Sequence, residues 1–363
     1  MLRNALPGLC TALACTIAVG PSAAQSAGVA GSVNGVPVTF AQLITRMQAD
    51  NPEGLAQAVG QSIGPVVVRD VFGPTGKATI TRAMVEEQLR KTPSSVLAQE
   101  LNFMLRDSAL DQAAAKAGVS VPASAVEVRI TKLFDDARKQ GAIPAGVSNE
   151  QFLSQRHIGI GRVRQDVRSQ MITFALINKN MSQTLGHNLS ADDFLSARHI
   201  LIAIKDPGPN AKPEDTKKAD DDALAKAKLA EADIKSGKLT FENAAKQYSD
   251  DSSNKDQGGD LGVFMRGMMV KEFENAGFSM KPGQVSDPIK TQFGYHIIRV
   301  EKTGAQLTQA QRDQALDRYD QQHYQQFLSQ LMTQGAKVVN NLRPVSGTPM
   351  MPGGPRPGGG PPR

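Results

Sequence analysis

ARHILIAI at residues 197–204 and HIIRV at residues 296–300 decide how this chain is read. Both are short runs of β-branched and aliphatic residues, the composition of strands with a buried face. The sequence between them has a different character. After the Pro-rich, charge-rich segment DPGPNAKPEDTKKADDD at 206–222, read as a loop, the pattern predicts a long helix from about Ala223 to Ser236, stopped by Gly237. A short helix over Phe241 to Tyr248 follows, then the Gly-rich GGDLG at 258–262 and a helical piece around Phe273. Strands at both ends with helices between them predict a small α+β domain.

Outward from that core the period becomes helical. Leu97, Leu101, Met104, Leu105, Ala109 and Ala113 recur at three-to-four spacing before Gly118, and Val126, Ile130, Leu133, Phe134 and Ala137 form a second stripe closed by Gly141. Ser148 with Gln151 opens a third helical region running through Val163, Val167, Met171 and Leu176, so the segment is expected to be one bundle-like domain. Before it, VAGSVNGVPV at 29–38 reads as a strand pair around Asn34 and Gly35, and Thr39 with Gln42 caps a helix opening at Phe40. Residues 51–80 read as loops with one possible strand at Val66 to Val68. Leu307 to Leu342 reads as a helix, with Leu316, Tyr319, His323, Phe327 and Leu331 in register, placed to return to the N-terminal helices.

The two ends carry their own signals. Arg3, the apolar stretch Ala5 to Val19 and the small residues Ser22, Ala23 and Ala24 follow the order of a secretory signal cleaved after Ala24. Cys10 and Cys15 both fall inside it, so the exported form is expected to lack thiol chemistry and disulfides. A lipoprotein reading would need Cys15 at the new N-terminus, but Ala12 stands where Leu is usual. Residues 343–363 hold seven Pro and six Gly, too little apolar surface to offset their ordering entropy, and are expected to be disordered.

Composition excludes several function classes. The 363 residues are 40% hydrophobic and 21% charged, and beyond the first segment no apolar run reaches the length of a membrane span. Lys and Arg exceed Asp and Glu by 41 to 35, yet no dense basic block supports nucleic-acid binding. His157, His187, His199, His296 and His323 are dispersed without metal-ligand spacing, no nucleophile-elbow sequence is present, and GGDLG lacks the lysine of a phosphate loop. No cofactor is expected. His199 and His296 stand out because they occupy the two strands that bracket the α+β region, on faces shared with Leu201 and Ile298. Each alone fits a hydrogen-bonded core histidine. Asp251 in SDDSS likewise fits an ordinary polar turn, and Met269 with Phe273 an ordinary core pair.

ARHILI at 197, FENAAKQYSDDSSNKDQGGDLGVFMRGMM at 241, FENAGFSMKPGQVSDPI at 273 and TQFGYHIIRV at 291 together resemble the parvulin family of peptidyl-prolyl isomerases. The layout, with that domain set between helical segments, looks like the SurA- and PrsA-type exported folding chaperones. The resemblance implies a parvulin-like α+β isomerase domain at 196–303 inserted in a mostly α-helical SurA-like chaperone domain, built from 28–195 and a C-terminal helix at 305–342. It implies His199 and His296 as the paired active-site histidines and Asp251 at the position that is Cys in phosphoserine-directed members. Thr291 is implied as the hydrogen-bonding threonine, Leu261, Met269 and Phe273 as the proline pocket, and Phe293 at a position that is Ser in the phospho-directed branch. The 206–222 segment has no net basic cluster, which argues against phosphopeptides.

The implied chemistry is rotation about X-Pro bonds with no covalent intermediate, against a barrier of roughly 18–20 kcal/mol. Such a site holds the pyrrolidine ring in an apolar pocket and disfavours the planar, charge-separated amide. The implied partners are unfolded or nascent exported polypeptides in the periplasm or cell envelope, with no nucleic acid and no integral membrane segment after signal removal. The alternative keeps the fold but makes the parvulin-like domain a non-catalytic structural or client-binding element of a holdase.

Overall fold

The structure, a computed structural model, describes residues 28–63, 82–91, 94–156 and 158–342. The expected signal segment, the possible strand at Val66 to Val68, His157 and the Pro/Gly-rich tail lie outside the described residues. The fold is mixed α+β. The described residues divide into two compact units, one drawn from residues 28–176 and 326–342, the other Ile177–Gln325.

In the first unit β1 (Val29–Val33) and β2 (Val36–Thr39) pair antiparallel around Asn34 and Gly35. Both turn residues have positive φ, 51° and 84°, as a tight primed hairpin turn requires. Thr39 Oγ1 accepts the Gln42 N–H at 3.2 Å and Gln42 Oε1 accepts the Thr39 N–H at 2.8 Å, the reciprocal cap that starts α1 (Phe40–Asp50). The loop expected after Asn51 is instead α2 (Pro52–Ile63). Asn51 Oδ1 accepts the Gly54 N–H, Pro52 sits at the first helical position, and Leu55, Ala58 and Val59 are buried on one stripe. Its glycines mask that periodicity in the sequence. With α3 (Arg82–Lys91) and α4 (Ser95–Ala117), these helices enclose Leu43, Ile44, Met47, Leu89, Leu97 and Leu101.

A second apolar cluster, not a continuation of the first, lies among α5 (Ala123–Lys139), α6 (Asn149–Ser154) and the start of α7 (Ile160–Leu185). The helical region opened at Ser148 comprises two helices, α6 ending at Ser154 and α7 starting at Ile160, and just before α7 Gly159 lies so close to the Asp50 carbonyl that a Cβ would sit 3.0 Å from it. Arg46, Arg106 and Arg162 interleave with Glu100, Asp107 and Asp166 among α1, α4 and α7, with Arg162–Glu100 at 3.0 Å and Arg46–Asp107 at 3.2 Å. Paired in this way, these partly buried charges tie the three helices in one register.

The C-terminal segment departs from the expected helix over 307–342. The helix ends at Gln330, passes through a wide turn at Leu331–Gly335, and gives a strand at Val338–Asn340 that pairs antiparallel with β1. Two adjacent β-branched valines after Gly335 favour that extended ending.

In the second unit the sheet has the order β4-β3-β6-β5, all antiparallel, from β3 (Phe194–Ala203), β4 (Asp260–Met265), β5 (Ile289–Thr291) and β6 (Gly294–Thr303). α8 (Pro213–Lys235) and α9 (Phe241–Tyr248) cover one face, burying Ile200, Ile202, Tyr295 and Ile297. Half of the segment expected to be a loop at 206–222 is therefore helix. Pro213 opens it, Glu214 and Asp215 lie in the first turn, and Lys217–Asp221 and Lys218–Asp222 pair four apart along its exposed side. On the other face α10 (Lys271–Gly277) packs Phe273 on Leu195, Ala197, Phe264, Ile298 and Val300. The unit is wider than the strands that bracket it. α11 (Gln309–Gln330) donates from Arg318 to the Val263 carbonyl on edge strand β4, and its Asp320 accepts from Asn178 of α7.

Candidate functional site

The sheet register builds the site. Leu201 stands opposite His296 and His199 opposite Ile298, so the two histidines lie diagonally across neighbouring strands on the face covered by α10. Both are buried, with ring centroids 5.4 Å apart, and Phe273 meets each ring edge-on at 6.0 and 5.5 Å.

Hydrogen bonds run in one direction through this group. Thr291 Oγ1 lies 2.9 Å from His296 Nε2, His296 Nδ1 lies 3.2 Å from His199 Nδ1, and His199 Nε2 lies 2.8 Å from Asp251 Oδ2. One assignment satisfies every atom with both rings neutral: the threonine hydroxyl donates to His296, His296 donates to His199, and His199 donates to the carboxylate. Thr291 Oγ1 in turn accepts the Phe293 N–H at 3.1 Å. Burial lowers the basicity of His199 against the opposing pull of Asp251. Burial, then the neighbouring His199, lowers that of His296 to about 4.

Asp251 is held as an anion. Burial opposes its ionisation, but hydrogen bonds from the Ser253 side chain and backbone, His199 and Asn254 outweigh that, and its pKa falls to about 2. Ser253 donates twice to Oδ1, at 2.6 and 3.0 Å, the backbone contact closing an Asx turn, while Asn254 Nδ2 donates to Oδ2 at 2.7 Å. Ser249 Oγ ties this turn to β3 by accepting the N–H groups of Leu201 and Asp251. Ser249, Ser253 and Asn254 were not singled out by sequence reasoning. The signal available was spacing alone, an Asp followed by Ser and Asn two and three places on.

Two glycines make the approach of the chain possible. Gly259, at φ 76°, accepts the His199 N–H at 2.8 Å, and a Cβ there would lie 2.1 Å from the His199 carbonyl oxygen. Gly294, at φ 133°, turns the chain from β5 into β6 where a Cβ would lie 2.2 Å from the Ile202 oxygen.

The structure brings His199, His296, Thr291, Asp251 and Phe273 together, with Leu261 and Met269 partly buried against the same apolar cluster as Phe273. Glu274 fixes the methionine loop by accepting the N–H groups of Gly267 and Met269, at 2.6 and 3.0 Å. Phe293 stands apart: the residue is 55% exposed on the β5–β6 turn, and the contact that ties it to the group is its backbone N–H. Among the described residues no cluster of His, Cys, Asp or Glu is arranged to hold a metal ion, and no helix is long and apolar enough to cross a membrane.

His296→Ala removes a donor and an acceptor from the centre of this line and opens a cavity beside Phe273. It should lower stability by roughly 2–4 kcal/mol, measured by denaturant unfolding. An unchanged melting temperature would contradict its place in the line.

Residues 199–302 match the Rotamase family, the PPIC-type PPIase domain, so this segment is a parvulin-type peptidyl-prolyl isomerase domain. Beyond it the resemblance is to foldases. The chain is 39% identical over 139 residues to foldase protein PrsA 1 of Bacillus cereus, covering 38% of this chain and 41% of that one. It is 26% identical over 272 residues to foldase protein PrsA of Staphylococcus aureus, covering 74% of each. The crystal structure of PrsA from Bacillus cereus shares 22% identity over 71% of this chain and 89% of that one, with a TM-score of 0.35. The match thus spans about two fifths of the length of the Bacillus cereus relative.

Proposed function

We propose that the protein is a peptidyl-prolyl cis-trans isomerase and folding chaperone acting on unfolded or nascent exported chains that contain X-Pro bonds. The observation that carries this reading is the line from Thr291 through His296 and His199 to an ionised Asp251, set beside the apolar ring of Phe273. In a planar amide the carbonyl oxygen carries partial negative charge that is reduced as the C–N bond twists. A fixed carboxylate near that oxygen therefore raises the planar state relative to the twisted one and lowers the barrier. Leu261, Met269 and Phe273 would seat the pyrrolidine ring, and Phe293 would add apolar surface at the rim. The neutral histidines hold Asp251 in place and exchange no proton with substrate. Export to the periplasm or cell envelope is supported by the charged, apolar and small-residue order of residues 1–24.

A protease-coupled assay on an Ala-Ala-Pro-Phe peptide tests the reading on the full chain. We expect acceleration over the thermal rate. kcat/KM should be flat from about pH 7 to 8, because Asp251 and His296 titrate far below that range and burial holds His199 below the ordinary imidazole value, and should fall at acid pH as the rings take up protons, His296 near pH 4. A thermal rate throughout would refute the enzyme and leave the holdase. The chaperone function belongs to the helical segments in this reading. Aggregation of an unfolded client should therefore still be suppressed when Asp251 and Phe273 are both replaced by Ala, and loss of that protection would show that the two functions share one site.

A further inference from the structure

Asn254 sits next to the carboxylate in a position whose cost is visible. Its side chain is buried, and Nδ2 donates to Asp251 Oδ2, the same oxygen that His199 Nε2 reaches, while lying 3.1 Å from that nitrogen. Its Oδ1 is buried with no hydrogen-bond partner. Rotating the amide would place that oxygen against the Asp251 carboxylate, so the donor is kept in place while the acceptor goes unsatisfied, which is destabilising for any buried polar atom. The backbone does not need this side chain: the Asn254 carbonyl accepts the Gln257 and Gly259 N–H groups whatever the residue. Other charged groups near the turn are Lys255 and Asp256, which follow in the chain, and Arg198, whose guanidinium holds the Gln257 and Gly258 carbonyls.

We infer that Asn254 is a positioning residue for the isomerase reaction, its Nδ2–H fixing the Asp251 carboxylate in the orientation that His199 shares. This inference rests on the function proposed above. It deepens that reading by assigning a task to a residue that touches no substrate.

The test uses the full chain and two variants. Asn254→Ala removes the donor together with the orphaned acceptor, so kcat should fall about tenfold with KM within about twofold and no drop in melting temperature, whereas a merely structural residue would lose stability first. Asn254→Asp is nearly isosteric. While the new carboxyl is protonated its O–H can replace the amide donor, and once it ionises, two carboxylates compete for one donor, His199. Its kcat/KM should be near wild type at pH 5 and fall about tenfold by pH 8, where the wild type is flat. Wild-type kcat in Asn254→Ala, or a pH-independent rate in Asn254→Asp, would overturn the inference. The 15N signals of the His199 ring need no turnover and should show its titration raised by about one pH unit in Asn254→Asp. An unchanged titration overturns the positioning role even where the wild type proves to have no isomerase activity, which would be the separate failure of the parent reading.

Discussion

Asp251→Ala is expected to lower kcat/KM for an X-Pro peptide about 100-fold, equivalent to about 2.7 kcal/mol of transition-state stabilisation, with most of the loss in kcat. Four donors converge on this carboxylate, two from Ser253 and one each from His199 and Asn254. Its charge is thus fixed before substrate arrives and needs no reorganisation during the twist. Asp251→Asn separates charge from shape. An amide there turns a donor toward the His199 Nε2–H and reverses the direction of the line, so it should be nearly as damaging as Ala. Full activity in Asp251→Asn, measured with KM and kcat resolved, would remove the electrostatic role and leave only packing.

Asp320→Asn is expected to stabilise the protein at pH 8 by about 2 kcal/mol and to have little effect at pH 4. Asp320 is 3% exposed on α11. Burial raises its pKa to about 7, Asn178 Nδ2 donates to its Oδ2 at 3.2 Å in partial opposition, and Asp317 adds repulsion. Asp320 Oδ1 and Asn178 Oδ1 are both buried acceptors without partners, and one proton on the carboxyl supplies the donor that this pair lacks. The sign follows from linkage: a carboxyl whose pKa is raised on folding favours the folded state below its unfolded value, near 3.8, and loses that contribution as pH rises through about 7. The interval corresponds to about 4 kcal/mol if fully expressed, and roughly half should survive relaxation and water entry. Denaturant unfolding of variant and wild type at each pH checks this. A difference that does not grow with pH would mean Asp320 is ionised and satisfied. The histidine pair works in the opposite sense, since rings kept neutral by burial lose their contribution as pH falls below the ordinary imidazole range, that of His296 toward about 4, but that contribution cancels in the comparison.

Much of the second unit was legible because its signals are local. The strand runs around His199 and His296, the helix Phe241–Tyr248 and the piece around Phe273 follow from period and composition, and ordered motifs identified the domain. What escaped depends on tertiary context. The helix from Pro213 was hidden because its charges look like a solvated loop until Lys217–Asp221 and Lys218–Asp222 are seen four apart on one face. The helix from Pro52 was hidden by Gly54 and Gly60, and the strand Val338–Asn340 by a helical register that runs straight into it. At the site, the histidine pair was visible as two residues on two strands. The direction of its hydrogen bonds and the contribution of Asn254 depend on a turn geometry that spacing does not encode. Phe293 shows the reverse case, a residue placed by resemblance whose exposed ring owes its position to a tight turn and whose backbone makes the contact with Thr291.

The central claim, that the parvulin-type domain of this chain turns over substrate and does not merely clamp it, is tested most directly by the refolding of a client limited by a slow X-Pro isomerisation. The full chain would be present at about one-hundredth of the client concentration, alongside an Asp251→Ala, Phe273→Ala double variant. We expect the wild type to speed the slow phase at that ratio, with a rate proportional to its concentration, and the double variant to leave the phase at its thermal rate of tens to hundreds of seconds. A slow phase that responds only at stoichiometric amounts, or equally to the double variant, would contradict the account and identify the domain as a binding element.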